Sequence, residues 1–469
     1  MRHLLLLVLL LFFEPSMAQQ QAGDGRVYVR YIVFQGTDRI DDEVLRRELL
    51  QLEGTFIDTV ALENSRRRLE RLPYVQQAAI GQRPVDGAPD QVDIVIAITD
   101  APAREYRVGG AWSESRGFSG FGYFVNENVL GTGQRFFAQA EASDIYRAAQ
   151  VAHTDRFASV NGINRTIGFS WREFDKLTVD TTDFEGDLAR LTLEYGYQIA
   201  ERQSIRFGLA LQDVELNTGA IASSQLEDWV RQNGDPIDRV GGASTEALTA
   251  EVLLGWHQDT RDTAAFPNSG MEQQLGLRVA VPGSELEYYT LEYEADKYWS
   301  FNGGWTAHVG VDLGYGQQYG SSTTSLPPNL NWFAGGPNTV RGYRENRLGP
   351  RDSLGNPYGG NLLVSGQFEL MMPLPEDWRR TTRIGFFYDV GNVYSTEDIS
   401  FVDTDGISLD YGFELSELRQ SVGVAARFRT PLGLLRLSYG VPLNADDDDP
   451  NRFLRDDVEN FQIAIGGEF

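Results

Sequence analysis

Arg341 is the side chain in this sequence best placed to do chemistry. It lies in the segment Asn331–Tyr343, Asn-Trp-Phe-Ala-Gly-Gly-Pro-Asn-Thr-Val-Arg-Gly-Tyr, as the only cation among aromatic and small residues. Two glycines followed by proline exclude a regular strand or helix, so the segment reads as a loop. A guanidinium without solvating neighbours points inward and needs carboxylates to fork onto. Two acids in the following strands are candidates. Across 361–372, period-two alternation sets Leu362, Val364, Phe368 and Leu370 on one face and Ser365, Gln367 and Glu369 on the other. Across 382–394, Asp389 shares a face with Arg383, Gly385, Phe387 and Gly391, opposite Ile384, Phe386, Tyr388 and Val390. Ion pairing of Arg341 with Glu369 and Asp389 is the chemistry these spacings offer. A catalytic carboxylate pair is the weaker alternative, because an arginine stands between the two acids.

Other chemistry finds little support. The histidines are His3, His153, His257 and His308, with no spacing that suggests a metal pair, and there is no cysteine, Gly-x-Ser-x-Gly elbow or phosphate-binding glycine loop. The reading is therefore of a protein that is not an enzyme and needs no cofactor or metal. Asp446–Asp449 reads as a solvated acidic loop rather than a cation site. A formal charge of −26 opposes binding to nucleic acid.

The elements that must position these residues fall into three parts. Residues 1–18 have the form of a secretory signal, with Arg2, an apolar run from Leu4 to Phe13, and Ser16-Met17-Ala18 before Gln19. A strand over 27–34 precedes a helix capped by Asp41-Asp42 and running through Leu50, with Glu48 on its exposed side, and a second helix from Asp58 to Leu72. Strands Val75–Arg83 and Gln91–Thr99 follow, joined by a turn region from Pro84 to Pro89. This β-α-α-β-β order over 27–100 predicts a small α+β domain with an exposed sheet edge.

From Arg104 to Phe469 the chain breaks into sixteen strand-like segments separated by Gly/Asp/Asn-rich turns. In 186–199, Ala189, Leu191, Leu193, Tyr195 and Tyr197 face one way, and Arg190, Thr192, Glu194 and Gln198 the other. The fold class expected is mainly β, a sixteen-stranded antiparallel transmembrane barrel preceded by the small α+β domain. Loops 216–245, 318–360, 395–417 and 443–459 are long and share one end, and 318–360, which carries Arg341, is expected to enter the lumen. The last strand points Phe461, Ile463, Ile465 and Phe469 outward. Gly466 and Gly467 weaken its pairing, since glycine adds neither packing nor stiffness.

The residues then support a resemblance. Gly36-Thr37-Asp38, Leu45-Arg46-Arg47-Glu48, Arg68-Leu69-Glu70-Arg71-Leu72 and Asp90-Gln91-Val92-Asp93 resemble the barrel-proximal POTRA domain of the BamA/TamA outer-membrane assembly family. The barrel is similar to that family through Asn128–Gly133, Phe266–Gly270, Pro282–Glu285, Phe333–Gly336, Val340-Arg341-Gly342-Tyr343, Gly385–Gly391 and Phe461–Phe469. The resemblance implies a lumen loop motif Val340–Tyr343 whose arginine contacts Glu369 and Asp389. It also implies a C-terminal sorting signal, and a seam where the first and last strands meet. It implies a protein of the bacterial outer membrane, its POTRA domain in the periplasm, that inserts unfolded β-barrel clients into outer-membrane lipid, with an accessory lipoprotein at the POTRA domain as a further partner. One departure is that Gln19–Val27 leaves no room for the additional POTRA domains usual in the family. A protein-translocating pore of the two-partner secretion type remains the alternative.

Overall fold

The structure is a computed structural model that describes residues 27–469 except 114–116, 160, 175–183, 265, 404–405, 431–432, 447–450, 452 and 467–469. The expected signal segment, Gly467 and Phe469 lie outside the described residues, as do Asp447–Asp449 of the acidic run. The chain divides into a small unit to Ala103 and a large unit from Arg104.

In the small unit, β1 (Tyr28–Gln35), β2 (Val75–Val85) and β3 (Ala88–Asp100) form one sheet in the order β1-β3-β2, with β1 parallel and β2 antiparallel to β3. Alternation buries Ile94, Ile96 and Ile98 of β3, and a register shift in β1 between Val29 and Ile32 brings both of those to the same side, against Leu45, Leu62 and Leu69 of the helices. The helix Thr59–Glu70 begins where the Asp58 carboxylate accepts the N–H groups of Val60 and Ala61 at 2.8 and 3.1 Å. Such a cap stabilises a helix by about 1 kcal/mol.

The first helix is shorter than its sequence pattern suggests. It spans Asp42–Arg46, and Asp41 makes no side-chain cap bond. Glu48 is buried rather than exposed and pairs with Arg68 at 3.0 Å. Arg46 turns away to the sheet: its Nη2 donates to the Ile32 carbonyl at 2.9 Å, and its Nη1 meets Glu53 at 3.0 Å. Glu53 in turn accepts the Ile32 N–H at 2.7 Å. Segment 54–57 bonds to Val27 and Val29 along the same side. The outer edge of β1 is thus covered, and the other edge of the sheet belongs to β2, where Glu70 Oε1 accepts the Ala78 N–H at 3.2 Å. Pro84 sits in β2 opposite Val92, where its missing N–H costs no ladder bond, so β2 and β3 run closer to their joining turn than the two prolines suggested.

The large unit closes on itself. Sixteen antiparallel strands run from Arg104–Ser113 to Phe461–Gly466, and the last pairs back onto the first. Outward positions are apolar and exposed, as with Leu191, Tyr195 and Tyr197, or Phe368, Phe386 and Tyr388. The stretch 216–245 is not an open loop. Strands Gln203–Thr218 and Gly242–Asp259 continue past the rim, joined by the helix Ser224–Gln232 and a short strand, Asp235–Arg239. Ser223 caps that helix, and Leu226, Trp229 and Val230 bury its inner face against Phe174, Leu216, Tyr288 and Leu326.

Candidate functional site: the lumen loop and the seam

Between strands Thr306–Gln318 and Leu362–Met371 the chain enters the barrel. Its path is set by backbone rather than by regular structure: Gly335 and Gly336 hold φ of 97° and 94°, and Thr339 Oγ1 accepts the Gly335 N–H at 2.9 Å. The tip then lies against the inner wall where that wall is glycine. An added Cβ on Gly440 would stand 2.8 Å from Gly342 N and 2.9 Å from its Cα. Close approach of two backbones is what these glycines permit.

That approach seats Arg341, which is 3% exposed. Its backbone N–H and Nε donate to Asp389 Oδ2 at 3.0 and 2.7 Å, and Nη2 donates to Oδ1 at 2.7 Å. Nη1 donates to Glu369. The guanidinium carbon lies 3.7 Å from the centre of the Phe387 ring, a cation–π stack. Glu369 also accepts from Arg427 at 2.7 Å and lies 3.9 Å from His308 Nδ1. His308 pairs through Nε2 with Asp296 at 2.5 Å and stacks on Tyr298. The charges are therefore enclosed but paired, the condition under which burying them is tolerable.

The flanking motif residues are equally enclosed. Val340 is buried and packs on Gly391. Gly342 and Tyr343 pair with Glu459 and Val458, and Gln462 Nε2 donates to the Tyr343 carbonyl at 2.6 Å. The loop so joins Glu369 and Asp389 to the root of the last strand. Phe387 was already placed on the face of Asp389, whereas Arg427 and His308 were not singled out by sequence, because which strands adjoin, and in what register, cannot be read from alternation alone.

Phe461 and Ile463 face outward on the last strand, and Gly466 is its final described strand residue, opposite Leu434. Toward the first strand, the residues that adjoin the ladder, 114–116 and 467–469, lie outside the described residues. Among the described residues Ile465 opposite Trp112 is its one register pair, whereas the first and second strands pair continuously from Arg104 opposite Asn126 to Ser113 opposite Gly117.

Family models match most of the chain: the Omp85 superfamily domain over 128–469, and a POTRA model, described as a surface antigen variable number repeat, over 27–101. The outer membrane protein assembly factor BamA of Neisseria meningitidis is 27% identical over 463 residues, covering 95% of this chain and 57% of that protein. The chain thus spans little more than half the length of that relative. Among solved structures, BamA from Haemophilus ducreyi lacking POTRA domains 1–3 shares the fold with a TM-score of 0.80 at 22% identity, covering 94% of this chain and 84% of that one. CdiB from Acinetobacter baumannii follows at 0.56 and 12% identity, covering 94% of this chain and 74% of its own. With a closed barrel, a lumen loop and a family model spanning its larger unit, this chain belongs to the Omp85 superfamily.

Proposed function

We propose that the protein inserts β-barrel clients into the bacterial outer membrane, without enzymatic chemistry, by pairing a client strand at the seam between its first and last strands. The barrel resides in that membrane and the POTRA domain in the periplasm. The observation that carries the reading is that the barrel closes by pairing its last strand with its first, Ile465 standing opposite Trp112. A strand edge whose N–H and C=O groups lack partners is a template for another strand, and exchanging one backbone hydrogen bond for another changes free energy little. The lumen loop holds the neighbouring wall while the seam exchanges partners. The β2 edge is the POTRA surface offered to an extended client, and an accessory lipoprotein would engage the same domain. Val340–Tyr343, Glu369 and Asp389 form the loop lock, and Phe461, Ile463, Ile465, Gly466, Gly467 and Phe469 the seam and sorting signal. The domain limits that go with this reading are a leader over 1–18, a POTRA domain over 27–100 and a barrel over 104–469.

The chain contains no cysteine, so a Trp112→Cys/Ile465→Cys pair gives a single disulfide. In liposomes, the oxidised variant is expected to fail to fold a test barrel and the reduced one to recover. Equal folding in both states overturns insertion through the seam. Large steady conductance without client folding supports a translocating pore instead.

A further inference from the structure

At the short-turn end of the barrel, the connection between strands Gly242–Asp259 and Gly270–Ala280 does not stop at the rim. Asp262 orders it, Oδ1 accepting the N–H groups of Thr263, Asn268 and Ser269 at 3.0, 2.9 and 3.3 Å. The turn then reaches past three strands, 288–300, 306–318 and 362–371, to the wall beyond. There the Phe266 ring lies between two guanidinium groups, 4.9 Å from that of Arg383 and 5.4 Å from that of Arg429. Arg383 Nη2 donates to the Phe266 carbonyl and to Asn268 Oδ1, both at 3.1 Å. Ser300 Oγ donates to the Asn268 carbonyl at 2.8 Å.

Arg383 is unlike Arg341. It is buried, yet its hydrogen bonds go to neutral oxygens, those of Arg379, Thr382, Phe266 and Asn268. A guanidinium in that position depends on carbonyl dipoles and on the negative face of an aromatic ring. The turn supplies the ring and two of the oxygens. Its two arginines stand on the strands that also carry Asp389 and Arg427, so the wall held at mid-height by Arg341 is held again at its lower end.

We propose that turn 260–269 is a second clamp across the lumen, with Phe266 as its positioning residue, securing the short-turn end of strands Thr382–Tyr394 and Arg419–Thr430. The clamp is a property of the resting barrel and does not depend on the insertion reading. Hydrogen exchange of the turn amides in the full chain, without client, is the test. Phe266→Leu keeps an apolar side chain of similar size without the ring face; Phe266→Tyr keeps the face. The expected result is about tenfold faster exchange at Asn268 and Ser269 in the Leu variant and near-normal exchange in the Tyr variant. Arg383→Gln, which keeps donors without the charge, is expected to fall with Leu. Equal protection in the Leu and Tyr variants would mean that the ring acts only by filling space, and overturns the proposal. So would unchanged protection in Phe266→Ala; if that variant does not assemble, the Leu and Tyr pair still decides.

Discussion

Two walls of the same barrel alternate in the same way and yet are held differently. In strands Arg135–Ser143 and Tyr146–Asp155 no residue is fully buried, and Arg135 forms a partly exposed pair with Glu127 of the preceding turn, which also meets Arg156 of the next. In strand Thr382–Tyr394 the inward set, Arg383, Phe387 and Asp389, is buried, because the inserted loop and the turn at the other end lie against it. Water solvates a lumen charge on the first wall; only a protein partner can do so on the second. The contrast makes sequence alternation a guide to direction, whereas burial decides what a polar residue is worth.

The largest break in this comparison is Arg341→Ala. It leaves Asp389 and Glu369 enclosed, with Asp389 losing its two side-chain donors, and breaking a buried pair of this kind costs about 3–5 kcal/mol. The third donor to Asp389, the backbone N–H of residue 341, stays bonded only if the loop stays in place. The compact form seen in heat-modifiable gel mobility is expected to be lost at lower temperature, with client folding reduced. Arg135→Ala, which removes one of the two partly exposed partners of Glu127, is expected to shift the same measurement by less than about 1 kcal/mol. Equal effects from the two would erase the distinction between the walls.

A smaller effect separates the walls without touching charge. Gly440→Ala places a methyl group within 3.0 Å of the Arg341 carbonyl carbon and still closer to Gly342, so the loop tip must lift. Overpacking of this sort costs about 1–3 kcal/mol. Gly120→Ala, in strand Gly117–Asn126, meets nothing within 4 Å and is expected to leave melting and loop protection unchanged. Protease sensitivity of the lumen loop in the two variants checks the prediction, with cleavage expected in the first alone.

The sequence made one part of this site readable and hid another. Period two put Glu369 and Asp389 on the inner face, and a cation with no solvating neighbours required acids, so the grouping followed from local rules. Arg427 and His308 come from strands whose register against Leu362–Met371 is fixed by three-dimensional closure, and no window of sequence contains that information. The helix Ser224–Gln232 was legible within the long loop expected over 216–245, since Ser223 stands before Leu226, Trp229 and Val230 at helical spacing. The first helix was overextended because Val44, Leu45 and Leu49 fit one face, while the bonds that turn Arg46 toward Ile32 are tertiary.

The distinction between solvated and enclosed acids also sharpens one point in the POTRA unit, where the expected effect is smallest. Glu53 closes the β1 edge by accepting the Ile32 N–H, and that bond, aided by Arg46 and opposed by partial burial, holds its carboxyl below the ordinary glutamate range. A carboxylate with a depressed folded pKa contributes stability that is complete above its unfolded value of about 4.3 and is lost as pH falls through the folded value. The side chain is 37% exposed, so solvent screens much of this contribution. In isoleucine-labelled protein the Ile32 amide resonance is expected to move with a midpoint below about 4.3, and Glu53→Gln to abolish that movement while the amide stays protected. A midpoint at the ordinary glutamate value would mean that the edge is open to water, and that β1 is as available to an incoming strand as β2.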